Sequence, residues 1–423
     1  MHERLRVDHF EAMVANIVGY FAGVPVNDWG RPGCGKSAMN RTAQSYIQWQ
    51  AQQMSDEIYD DFKTFGLIDN RLSQQEGIDI RGLFKIITDE NGDEFTSTIR
   101  PVWLPTRGAG MIVHDEFNMG EESAKKAVMQ LLTDWMVGTH ILPRSWGQVG
   151  NGNLARHKGL GKKMTPAEEN RWCHIWMDDG DSDDDRDDPH VIDDIADMMS
   201  GRCAQSFTRL ALNNFTLQEG DIPIDITKVV DWTPDIMDGR VTAYFDARPH
   251  LVNTFDPERN KREDYGFSSN RTIQYLSKVL QTTERFGKEC YDLVFRTMAH
   301  GLVGPGVGED FVCTLDLLDK LIDLDAVKHN GKSAPLPIDD PTYKISVTFV
   351  AMSALATAGH FNRATGGHII DYVRRLHQIS PEIPPVFVKH LEANSRKHKG
   401  VEDAICDPSV GYMKLKEDYL ITI

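Results

Sequence analysis

The chain has 423 residues, 40% of them hydrophobic and 26% charged, enough for two or three domains at ~100–200 residues each. That balance belongs to a folded globular protein and excludes wholesale disorder. Lys and Arg number 46 against 63 Asp and Glu, and the resulting formal charge of −17 argues against a surface built to coat nucleic acid. The six cysteines (Cys34, Cys173, Cys203, Cys290, Cys313 and Cys406) form no C-x-x-C pair. Their scatter disfavours a zinc site or a disulfide scaffold and points to a reducing cytoplasm. The first residues lack an apolar signal core, and no run of ~18 apolar residues follows, so no membrane span is expected.

In chain order, residues 10–22 read as a helix and Val24 to Trp29 as a short strand, followed by apolar positions at helical spacing (Met39, Ala43, Tyr46, Ile47). Residues 84–88 and 95–99 flank Asp89-Glu90-Asn91-Gly92, a β-hairpin signal because Asn-Gly tolerates positive φ. Met111 to Val113 reads as a buried strand, and Ala124, Ala127, Val128, Leu131, Leu132 and Trp135 mark an amphipathic helix ending near Gly138. This alternation over residues 1–177 predicts an α/β layer with a mostly parallel sheet.

The run 178–188, DDGDSDDDRDD, repels itself and reads as a solvated linker over 178–190. A calcium loop is the sharper alternative, but Asp184 stands where such a loop needs glycine and no glutamate closes it. Beyond ~190 the signals are mainly helical, at 205–214, 240–250, 271–285, 287–301, 309–323, 343–358 and 367–377. Pro335, Pro337 and Pro341 punctuate that half.

Gly30-Arg31-Pro32-Gly33-Cys34-Gly35-Lys36-Ser37 fits G-x-x-x-x-G-K-S in full, after a strand and before a helix. The glycines let successive backbone N–H groups turn inward on phosphate oxygens, and the helix start adds its positive end. Pro32, Gly33, Cys34, Gly35, Lys36, Ser37 and Ala38 would line that cradle, binding ATP. Lys36 would pair with its phosphates and Ser37 would ligate Mg²⁺. The apolar strand ending in His114-Asp115-Glu116 supplies the carboxylates such a site needs. Asp115 would hold Mg²⁺ and Glu116 would activate the attacking water. Asn27 and Asp28 are polar for a strand leading into a phosphate loop, and His114 sits where an apolar residue is expected.

Three further residues would complete an ATPase site. Asn153 could position the water, with Asn151 the rival for that role and turn chemistry the ordinary reading of both. Arg171 could neutralise charge on a neighbouring subunit's γ-phosphate or be a plain surface arginine. Arg271 could touch phosphate or sit idle in the first turn of a helix capped by Ser269. Arg156, Lys158, Lys162 and Lys163 form a basic loop, the best candidate for a nucleic-acid contact, without aromatic residues to stack bases.

Together these residues resemble a MoxR-like AAA+ ATPase. The likeness extends through Arg71-Leu72-Ser73, Asp79-Ile80-Arg81-Gly82-Leu83, Pro101 to Pro105, Gly110 to Asn118, Leu142-Pro143, Gly266 to Thr272, and Gly301 to Gly304 with Glu309 to Phe311, covering roughly residues 20–325. It departs at Phe84, where a proline is usual, at His114, and in the long acidic run. The resemblance implies an αβα core over 1–177 with a hairpin insert near 80–100, a helical lid over 191–325 and a helical extension over 326–423. It assigns Asn153 as sensor 1, Arg171 as arginine finger and Arg271 as sensor 2. It further implies an Mg-ATP hydrolase in a hexameric ring, of bacterial or phage type, acting on a separate protein partner. Such partners often carry a von Willebrand factor A domain. A nucleic-acid motor or helicase loader, and a non-catalytic ATP-gated scaffold, are the alternatives.

Overall fold

The computed structural model of the chain describes residues 5–153, 162–177, 222–235, 237–261, 263–337, 348, 351–352, 355–357, 360–396 and 398–420. The acidic run, the predicted helix at 205–214, much of 343–358, and Arg156 and Lys158 lie outside them. The chain divides into two compact units, Met1–Ile236 with Asn253–Gly308, and Met237–Val252 with Glu309–Ile423. Residues 253–308 thus group with the first unit.

The first unit is built on a six-stranded parallel sheet. Its strands are β1 (Arg6–Val7), β2 (Val26–Trp29), β3 (Gly66–Arg71), β6 (Gly110–Asp115), β9 (Trp146–Gly152) and β10 (Cys173–Met177), in the order β1-β10-β2-β9-β6-β3. Two small antiparallel pairs sit apart from it: β4 (Phe84–Thr88) with β5 (Glu94–Thr98), and β7 (Met136–Val137) with β8 (His140–Ile141). Helices pack against the sheet, giving a layered α/β core.

Helix α1 (His9–Ala22) starts where Asp8 and Glu11 form a capping box, and it ends at Gly23 in the left-handed region. The next residue, Val24, still donates its N–H to Gly19, so β2 begins two residues later than the sequence pattern predicts. Helix α2 (Lys36–Gln52) follows β2, and α3 (Glu122–Asp134) follows β6. The buried stripe of α3 is the predicted one. It joins Ile112, Phe117, Trp29, Trp172 and Trp176 in one apolar cluster. Helices α4 (Asn270–Phe286) and α5 (Lys288–Val303) pack against α1, and α5 also against β10. Ser269 caps α4 by accepting from Thr272, as its sequence position predicts.

The hairpin forms as predicted, but its loop spans residues 89–93. The Asp89 carboxylate accepts from the N–H groups of Asn91 and Asp93, and Gly92 takes φ 88°. It carries an exposed apolar surface that includes Leu83, Phe84, Ile86 and Phe95.

In the second unit Ile369, Ile370, Tyr372, Val373 and Leu376 bury one face of the helix Gly366–Leu376 against neighbouring helices. No helix among the described residues is long and apolar enough to cross a membrane.

Close packing in the sheet depends on small residues at chosen places. Gly66 and Gly110 are register partners, and the Trp146 indole lies over both. A Cβ on Gly110 would stand 2.5 Å from that ring and 2.6 Å from the Gly66 carbonyl oxygen. We therefore expect Gly110→Ala to destabilise the protein by about 1–3 kcal/mol, read as a lowered urea midpoint.

Candidate nucleotide-binding site

Parallel pairing puts the C-terminal ends of β2, β9 and β6 on one edge of the sheet, where the crevice outside strand ends is the usual ligand site of such folds. The loop 30–37 leaves β2 at this edge. Gly33 (φ 80°) and Gly35 (φ 99°) adopt the left-handed conformation that the tight loop needs, and Gly35 opens α2. His9, at the start of α1, donates from Nε2 to the Cys34 carbonyl and ties the loop to the core. Lys36 is 8% exposed, and its ammonium reaches inward. It donates to the carbonyls of Gly30 (2.8 Å) and Arg31 (2.9 Å) and to Asn153 Oδ1 (3.1 Å). Its three protons thus converge on oxygen acceptors, the chemistry that phosphate oxygens would satisfy.

Ser37 and Asp115 meet across this edge, Ser37 Oγ donating to Asp115 Oδ2 at 3.3 Å. A hydroxyl and a carboxylate side by side suit Mg²⁺, which takes one or two protein oxygens and completes its shell with phosphate and water. Among the described residues no group of three or more His, Cys, Asp or Glu could hold a metal by itself. Asp115 Oδ1 accepts from Asn151 (3.2 Å) and from the Glu116 N–H (3.1 Å).

Glu116 sits in the left-handed region at φ 54°, an unfavourable place for a residue with a Cβ that costs of order 1 kcal/mol. The turn aims its carboxylate at Ser73, whose hydroxyl donates to it. Ser73 enters the sequence reading only as part of a motif. Its contact with Glu116 arises because β3 and β6 are neighbours in the sheet.

The two asparagines at the end of β9 divide their work. Asn151 reaches Asp115, and Asn153 reaches Lys36. Asn118 clamps the strand exit, donating to the Asn153 carbonyl (2.6 Å) and accepting from its N–H (3.2 Å).

Arg171 and Arg271 lie elsewhere. Arg171 precedes β10, whose Trp176 is level with Trp29 at the end of β2. Cys173, two residues after Arg171, is level with Val26 at the start of β2, so Arg171 lies towards the opposite edge of the sheet. It donates to Thr133 (2.9 Å) and to the Ala167 carbonyl. Arg271 donates to Asn170 (2.8 Å), beside Arg171. The structure therefore groups the two arginines with each other and not with their own chain's Lys36. Glu169 holds this corner together, accepting from Asn260 (2.7 Å) and from the Gly266 N–H (2.9 Å). Burial pushes its pKa up to about 7.

No family model and no curated protein matches this chain. Among solved structures it is similar to a candidate ATPase from Cytophaga hutchinsonii, with 14% identity over 73% of this chain and 90% of that one and a TM-score of 0.38. A likeness that weak carries no argument, so function must be read from the side chains themselves.

The unusual polar residues are explained by burial with partners. Asp28 is wholly buried and accepts from Asn16 at 2.8 Å, and burial pushes its pKa up to about 7. His114 is also wholly buried. Its Nδ1 accepts from Asn70 (3.2 Å), and its Nε2–H donates to Gln148 (3.0 Å). Burial pushes its pKa from 6.5 down to about 4, so between those values the unfolded chain binds more protons than the folded one. The stability contributed by neutral His114 is lost as pH falls through that window. Urea midpoints of wild type should therefore fall relative to a His114→Leu variant as pH drops from about 6.5 towards 4. A constant difference across that range would contradict a buried neutral imidazole.

Proposed function

We propose that the chain is an Mg-ATP-hydrolysing AAA+ ATPase of MoxR-like type, forming a ring and remodelling a separate protein partner. The observation that carries this reading is the convergence at one sheet edge of Lys36 and Ser37 with Asp115 and Glu116, reached from separate strands.

In this reading the loop N–H groups and Lys36 bind the phosphates. Lys36 exchanges its carbonyl acceptors for phosphate oxygens and keeps Asn153 as a guide. Mg²⁺ held by Ser37 and Asp115 would supply charge neutralisation on the phosphate oxygens. Glu116, released from Ser73, would take the proton of the attacking water. Arg171 would complete the site of a neighbouring subunit, since its own P-loop lies towards the other edge of the sheet. Arg271, paired with Asn170 beside it, would act from the same corner. The exposed apolar hairpin at 83–99 suits contact with a partner protein.

Turnover per subunit should rise with protein concentration and ignore added DNA. Turnover switched on by DNA, with steep salt dependence, would favour a nucleic-acid motor instead. Glu116→Gln should bind ATP and assemble but lose turnover by at least ~100-fold. Arg171→Ala should bind ATP and lose turnover by about 1,000-fold. Mixing the two inactive variants should restore turnover, because an intact Glu116 then meets an intact Arg171 across a shared interface. A mixture that stays inactive would remove Arg171 from the neighbour's site.

A further inference from the structure

Between α1, α2 and the sheet runs a line of buried polar side chains that the nucleotide-binding reading does not use. Asn16 on α1 donates with one amide proton to Asp28 (2.8 Å) and with the other to Asn40 Oδ1 on α2 (3.0 Å). Asn40 Nδ2 points on to Asn151 Oδ1 on β9 (3.5 Å), and Asn151 Nδ2 donates to Asp115 Oδ1 on β6 (3.2 Å). All three asparagines and Asp28 are essentially inaccessible to solvent.

Two features set this line apart from polar groups that merely fill a core. From Asn16 onward its direction is uniform: Asn40 and Asn151 each accept on oxygen from the preceding amide and donate from nitrogen to the next group, and the last bond ends on the carboxylate facing Ser37. Amides aligned in this way polarise one another and strengthen the terminal bond. It is also costly. An apolar core here would avoid burying the Asp28 and Asn16 oxygens that find no partner among the described residues. Asn40 stands three residues beyond Ser37, at the start of the second turn of the helix that carries the phosphate loop, and it makes the longest link in the line.

We propose that Asn16, Asn40 and Asn151 form a positioning relay that fixes the Asp115 carboxylate for its metal, with Asp28 as the buried anchor. The relay rests on the Mg-ATP reading of the site. It adds that helix α2, when it responds to phosphate, shifts Asn40 against Asn151 and so adjusts the metal ligand. The asparagines touch neither substrate nor metal and act only through Asp115.

The test is a Mg²⁺ titration of the binding of a fluorescent ATP analogue, with binding in EDTA as baseline and the melting temperature of each unliganded variant as the control for folding. Asn151→Ala should raise the half-saturating Mg²⁺ concentration by about tenfold, the usual cost of losing a metal ligand's hydrogen-bond partner. Asn40→Ala, which contacts no atom of Asp115, should move it in the same direction, while binding in EDTA stays at the wild-type level. The double variant should be no worse than Asn151→Ala alone, because both break the same line. If Asn40→Ala does not fold, Asn40→Ser, which keeps a short donor and acceptor, carries the same comparison.

A folded Asn40 variant with wild-type Mg²⁺ dependence, or shifts that simply add, would overturn the relay. Wild-type protein that binds the analogue without any Mg²⁺ dependence would instead overturn the Mg-ATP reading, and the relay with it.

Discussion

Parallel hydrogen bonding between β2, β9 and β6 is the constraint on which the rest of the site depends. In a parallel sheet every strand leaves at the same edge, so a loop after β2, a carboxylate pair at the end of β6 and asparagines at the end of β9 must become neighbours. No contact among Lys36, Ser37, Asp115 and Asn153 needs to be arranged separately. Register sets the distances, and the glycines opposite Trp146 and Trp29 let the strands and their indoles pack at the required spacing.

Much of this was legible in the sequence, for reasons that differ by element. The phosphate loop could be read because its glycines and lysine are demanded by local backbone chemistry, and local chemistry leaves a local pattern. Helices α3 and α4 could be read because each buries one stripe, and α1 because it is a long, mostly apolar run ending at a glycine. Strands β3 and β10 were not anticipated. Cys173–Met177 is buried on both faces and shows no alternation, while Gly66–Arg71 is half polar, with Asp69 and Arg71 exposed and Asn70 buried against His114. Ser73 and Asn118, quoted only as members of motifs, and Asn16 and Asn40, outside any motif, gave no warning of their contacts because their meaning lies in partners on other elements. A polar residue inside a buried stripe, such as Asn40 between Met39 and Ala43, is the only hint that sequence offers.

Buried polarity is the recurring theme of the sheet. Asp28, His114, Gln148 and His174 all occupy places that an aliphatic side chain would fill at lower cost, and each is tied to a named partner. Such pairs add little net stability, but they penalise any register in which a partner is missing. A one-residue slip of β6 against β9 would strand His114 and Gln148 together, so the polar core favours one alignment of the strands over its neighbours.

The placement of Arg171 has a consequence for symmetry. The surface that would lend an arginine and the surface that would receive one lie at opposite edges of the same sheet. A pair of subunits related by a two-fold axis can join these unlike edges only if one self-complementary patch contains both, each subunit giving to and taking from the other. Where no single patch contains both, association through these surfaces would be head-to-tail: each subunit would give on one side and take on the other. Such a contact repeats until the rotation closes a circle, and where it fails to close it winds on as a helix. The angle between neighbours, and not the strength of their contact, would then decide how many subunits share the work.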